Sequence, residues 1–136
     1  TNGCYRLHPI EWNIGESAGL LASYSCKTKT LPRDIHSIES LLREFQSTLI
    51  KNGVPIHWLM DVPVDHPDFD VVQKFVTEGG HGNTNNGLNF SPESLINNLD
   101  LEYWEHVIPQ NFSGTNIKDE SITRIELARQ ISENNQ

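Results

Sequence analysis

The chain has 136 residues, 36% of them hydrophobic, and a formal net charge of −8, enough for the core of one modest domain. The acidic balance argues against a phosphate-backbone partner, since nucleic-acid binders present a basic face. No apolar run is long enough to span a membrane, and no charged-then-apolar leader opens the chain.

In chain order, residues 1–12 read as extended or loop, with Pro9 disfavouring helix at His8. A first helix is expected over 14–26, with Asn13 as N-cap and Ile14, Ala18, Leu21 and Ala22 as its apolar stripe. Lys27 and Lys29 suit its negative end. Leu31, Pro32, Arg33 and Asp34 predict a turn or a single helical turn. A stronger helix follows over 37–52, where Ile38, Leu41, Leu42, Phe45 and Leu49 make a one-sided stripe. Gly53 is placed to follow that helix and Pro55 to stop it. Residues 54–64 form an extended connector in which Trp58, Leu59 and Met60 cover core.

From Asp65 the character changes. Asp65, His66, Pro67 and Asp68 predict a helix start, with Phe69, Val72, Phe75 and Val76 on one face and Gly79 as the stop. Residues 77–89 are a Gly/Asn-rich loop without the regular acidic ligands of a calcium loop. Phe90 to Glu93 predict a short helix through about Leu99, and residues 101–107 one more. Residues 113–119 read as a polar loop. Ser121 onward leads into a last helix ending in a frayed terminus. Phe69, Phe75, Phe90, Trp104 and Leu127 are expected to form a small core.

Most generic chemistries find no support. The six histidines lack H-x-x-x-H or H-E-x-x-H spacing, so no metal is assigned. No G-x-S-x-G elbow occurs, and the carboxylates offer no legible acid–base pair. Cys4 and Cys26, the only cysteines, set no disulfide framework and are read as free, partly buried thiols. A dinucleotide fold needs G-x-G-x-x-G between strand and helix, and Gly79, Gly80 and Gly82 follow a helical run instead.

One stretch concentrates unusual choices. Asn13-Ile14-Gly15-Glu16-Ser17-Ala18-Gly19 sets two glycines four apart, each costing a helix about 1 kcal/mol relative to alanine. They lie on one face with small neighbours, so a backbone or flat ligand can approach closely. A helix start there would also present unsatisfied N–H groups. Just upstream, Tyr5-Arg6-Leu7-His8-Pro9-Ile10-Glu11-Trp12 places an Arg, a His and two aromatics.

The combined run GCYRLHPIEWNIGESAG resembles the C-terminal flavin-binding segment of bacterial FAD-dependent oxidoreductases of the glutathione-reductase-like superfamily. The likeness covers residues 1–63, including Leu31-Pro32-Arg33 and Val54-Pro55-Ile56. It implies that backbone N–H groups around Ile14, Gly15 and Glu16 meet the pyrimidine edge of the flavin, with Asn13 among the cofactor-binding residues and Gly15 and Gly19 permitting the approach. It implies that Arg6 fixes an anionic substrate and His8 moves a proton. A structural salt bridge for Arg6 and a structural hydrogen bond for His8 are the plainer alternatives. The resemblance makes the chain a C-terminal fragment, mainly α in itself, of an α/β Rossmann-like parent whose upstream part holds most of the FAD. The parent's partner is a small-molecule substrate.

Residues 65–136 are similar to one S-layer-homology repeat, through the Gly-rich loop, Phe90-Ser91-Pro92 and Ile122-Thr123-Arg124-Ile125-Glu126-Leu127-Ala128. In such repeats the Thr-Arg-x-Glu piece starts a helix and the Phe-x-Pro turn packs on it. Residues 1–64 are therefore expected to be a flavin-contacting segment and 65–136 a helical accessory tail, for which the resemblance implies weak cell-wall association. The alternative is an autonomous helical binding or cell-surface module without catalysis. A helix-turn-helix DNA binder is disfavoured by the acidic charge.

Overall fold

The computed structural model describes residues 7–81, 87–107 and 121–134. They form two compact units, Thr1–Ile56 and His57–Gln136. This division falls eight residues before position 65, because the connector from His57 is bound into the second unit.

In unit 1, three helices follow one another: α1 (His8–Thr28), α2 (Pro32–Ser37) and α3 (Glu39–Lys51). Helix α1 starts six residues before the expected position. Pro9 lies in its first turn, where a missing N–H costs nothing and the fixed φ is already helical. Proline here opens the helix instead of forbidding it. Asn13 is consequently inside α1 and is not its cap. The inward face also differs from the expected stripe: Asn13, Ser17, Leu20, Leu21 and Tyr24 face the unit, whereas Ile14 is 49% exposed and Ala18 and Ala22 are exposed. Lys29 closes α1 in the left-handed region, at φ 56°.

Residues 32–37 form a helix, and extended Ile38 separates it from α3. Ile38 itself is exposed, so the α3 stripe buries chiefly Phe45, Leu49 and Ile50. At the far end Gly53 adopts φ 72° and donates to the Ile50 carbonyl (2.9 Å), while Val54 donates to that of Leu49 (3.0 Å). These two bonds are a Schellman turn, which needs the left-handed residue that glycine supplies. Tyr24, Ile35, Phe45, Leu49 and Val54 make the core, with Leu20, Leu21 and Ile56 against it.

Unit 2 contains, among the described residues, α4 (Phe69–Thr77), α5 (Asn98–Val107) and α6 (Arg124–Asn134). The connector alternates: Leu59 and Val62 are buried, while Trp58 and Met60 are 50% and 77% exposed, so these two do not cover core. Helix α4 buries Phe69, Val72, Phe75 and Val76 as its pattern predicts. It ends in a second Schellman turn, Gly79 to Val76 and Gly80 to Phe75. A Cβ on Gly80 would come within 2.5 Å of the Phe75 ring.

The short helix expected after Phe90 is absent. Residues 91–96 turn and run extended, because the Ile96 amide donates to Ile122 and those of Arg124 and Ile125 donate to Ser94 and Pro92. A single antiparallel bridge, Leu95 to Thr123, results. Helix α5 then begins under an Asn97 cap, whose Oδ1 accepts from the Asp100 amide at 2.9 Å. Phe75, Phe90, Trp104 and Leu127 join Leu59, Val62, Val72, Ile96, Ile125 and Ile131 in one core. The polar loop over 113–119 lies outside the described residues.

Candidate functional site

Helical periodicity sorts α1 into two faces. Opposite the inward residues lie His8, Trp12, Gly15, Gly19 and Ala22, all exposed. A Cβ at Gly15 or Gly19 would meet nothing within 4 Å, and Trp12 is 72% exposed. The middle of this face is therefore a flat strip of small residues with the indole standing at one end. Along the axis, His8 to Gly19 spans about 16 Å.

The predicted site residues divide accordingly. His8 is the first residue of α1, with its side chain 96% exposed and Nδ1 3.3 Å from Glu11 Oε2. Gly15 and Gly19 share its face, and exposed Glu16 borders it. Ile14 points elsewhere, and Asn13 turns inward to donate from Nδ2 to the Pro55 carbonyl at 3.1 Å. The N–H groups of Ile14, Gly15 and Glu16 fall in the second turn of α1, away from its positive end. That end lies at Leu7, whose carbonyl accepts from Ile10 and Glu11. Arg6 and Cys4 lie outside the described residues. Cys26 is a free thiol, exposed where partial burial is expected.

Unit 2 holds a second concentration of polar groups that sequence reading missed. Arg124 is 1% exposed. Its Nε donates to the Phe90 carbonyl (2.7 Å), Nη1 to Asp100 Oδ2 (3.0 Å) and Nη2 to the His81 carbonyl. The guanidinium also lies 5.0 Å from the Phe90 ring centre and 5.2 Å from that of Trp104. Burial pulls its pKa down, against the opposing pull of Asp100 and Asp61. Asp61 accepts from the Phe90 and Ser91 amides, and Ser91 adopts φ 59°. The available signal was Arg124 itself, set between Ile122 and Ile125, where a solvated arginine is out of place.

Next to it, Thr123 and Glu126 form a capping box. Thr123 donates to Glu126 Oε2 from its amide (2.7 Å) and hydroxyl (2.9 Å), and the Glu126 amide returns a bond to Oγ1 (3.3 Å). These bonds hold the Glu126 carboxyl below its ordinary range. The Thr-Arg-x-Glu segment thus starts α6 with its outer residues and fastens His81, Phe90 and Asp100 with its arginine.

Residues 1–49 match a family model described as FAD dependent oxidoreductase. They form an FAD-dependent-oxidoreductase-like region. The matched span takes in α1 with its open face, α2 and most of α3. No curated protein and no solved structure matches the chain. The described residues fit the contact a planar ring makes, through the uncovered small-residue strip of α1, and they supply no strand-turn-helix cradle for a pyrophosphate. No helix among them is long and apolar enough to cross a membrane.

Proposed function

We propose that residues 1–64 are the C-terminal, flavin-contacting segment of a bacterial FAD-dependent oxidoreductase of the glutathione-reductase-like superfamily. The observation that carries this reading is the family match over residues 1–49. The uncovered face of α1 lies inside that span. In this reading the Rossmann-like part of the parent binds the nucleotide half of FAD, and residues 65–136 are an S-layer-homology-like helical tail.

Within the segment, Gly15 and Gly19 let the ring system lie close to the α1 backbone, bordered by Glu16. Asn13 acts at one remove: its bond to Pro55 holds α1 against the chain after α3. His8 stands at the positive end of the helix, where an anionic substrate or an electron-rich carbonyl is favoured, and Arg6 precedes it by two positions in the sequence. There Arg6 binds the substrate's charge and the solvent-facing His8 imidazole takes or gives a proton. FAD, when bound, supplies the hydride chemistry, and the chain's residues supply position, charge and proton transfer.

The test is an absorbance spectrum of the full-length protein that carries this chain. A flavin band that bleaches with dithionite is expected, and a colourless folded protein overturns the reading. Gly15→Leu sharpens the test, since a Cβ at this exposed position meets nothing within 4 Å: the variant should stay folded and lose flavin. A second reading, an autonomous helical binding module, draws on unit 2 having its own core. It predicts that the chain pellets with wall polysaccharide, and loss of that binding on disrupting unit 2.

A further inference from the structure

The corner formed by the connector, the end of α4 and the start of α6 holds two histidines that the flavin reading does not use. Gln73, fully buried on α4, clasps the His57 backbone from both sides. Its Oε1 accepts from the His57 amide at 2.9 Å and its Nε2 donates to the His57 carbonyl at 2.8 Å. The ring is thereby held with Nε2 buried, and this atom has no hydrogen-bond partner among the described residues. His81 follows the Schellman turn of α4, and its carbonyl accepts from Arg124. Its Nδ1 is likewise buried without a partner among the described residues.

A neutral imidazole tolerates such a place better than an imidazolium, which brings a second donor and a charge. Burial lowers the His57 pKa, and the neighbouring His81 lowers it further. The other charged groups on the elements around this corner have their own engagements. Asp61 in the connector holds the Phe90 and Ser91 amides. On α5, Asp100 pairs with Arg124 of α6 at 3.0 Å. Lys74 of α4 and Glu78 just after it line a groove of about 170 Å³ with Ala128, Ile131 and Ser132 of α6. Among the described residues, it is His81 that acts electrostatically on His57, and it disfavours the imidazolium.

We propose that His57 makes unit 2 acid-responsive, a proton taken up at its buried Nε2 releasing the connector from the Gln73–Arg124 corner while unit 1 stays closed. The sign follows from linkage. A ring kept neutral in the fold and free to protonate when released contributes stability that is complete above the ordinary imidazole range, ~6.5, and is lost as pH falls through it. In unit 1, His8 and His36 are exposed. Carboxylates enter only at lower pH.

The test is amide hydrogen exchange on the full chain at pH 7.5 and 5.5, corrected for intrinsic rates and read separately for the two units, with NMR titration of the ring protons. The opening constant of unit 2 should rise by up to about ten-fold, with unit 1 unchanged. Replacing the ring, His57→Gln, should flatten this response. Unchanged protection of unit 2 between the two pH values overturns the proposal. So does a His57 ring that titrates at the ordinary value in the folded chain, a result that stands even if the variant does not fold.

Discussion

Arg124 illustrates how a single charged residue becomes structural. Taking a guanidinium out of water is costly unless each donor finds an acceptor, and here three come from distant parts of the chain: two carbonyls and Asp100. Two aromatic faces complete the enclosure. Arg124→Leu should therefore lower the stability of unit 2 by about 3–5 kcal/mol, because it strands a buried carboxylate and two buried carbonyls. Lysine should not restore it, since a single ammonium lacks the planar fork that reaches all three acceptors. Urea unfolding followed by near-UV circular dichroism, where buried Trp104 reports, would check both. Gly80 shows the steric counterpart. Phe75 packs 5.5 Å from Trp104 and 6.1 Å from Phe90, centre to centre, so its ring has little room to yield. Gly80→Ala should cost about 1–3 kcal/mol by overpacking, visible in the same measurement.

Among the elements, α1 is the one whose sequence and surroundings disagree most. Two glycines weaken it, yet the fold has open space at both. Gly15→Ala and Gly19→Ala should each stabilise unit 1 by about 1 kcal/mol, measured as a rise in thermal midpoint. A face that forgoes such stability is consistent with use for close approach, and lower flavin retention in the same variants would tie the two together. Legibility also varies by element. Helix α3, its Schellman glycine and the buried face of α4 could be read directly, because local periodicity and one φ-demanding residue settle each of them. The start of α1 could not, since Pro9 marks a first turn as readily as a break. Residues 91–96 failed for another reason: their path is fixed by bonds to residues 122–125, which no local window contains. At the candidate site, the glycine face was legible from four-residue spacing. Asn13 was misplaced as a cap because its partner, Pro55, lies 42 positions away.

For the whole molecule, acid should act in two stages. The histidine corner of unit 2 responds first. Below it lies the pair of Asp68 and Arg129, joined by two bonds of 2.8 and 2.7 Å. The Arg129 guanidinium holds the Asp68 carboxyl below its ordinary range. Its contribution is present above the unfolded carboxylate value, ~3.9, and is lost as pH falls below that. Arg129→Gln should therefore flatten the stability decline between pH 4.5 and 3, read by urea midpoints, and leave the decline near pH 6 intact.

The reach of Arg124 also orders events in time. Its bonds span 24, 34 and 43 positions back along the chain, whereas unit 1 is built from three helices that follow one another directly. During synthesis, unit 1 has all its parts once residue 56 has emerged. The residues from 57 onward then wait for Arg124, which at about 5–20 residues per second takes roughly 3–13 s. Asp100, made 24 residues before Arg124, and the aromatic core around Trp104 cannot close until it arrives. The nascent second unit is thus the part of the chain most exposed to aggregation, protease and chaperone, and any delay in translation before residue 124 lengthens that exposure.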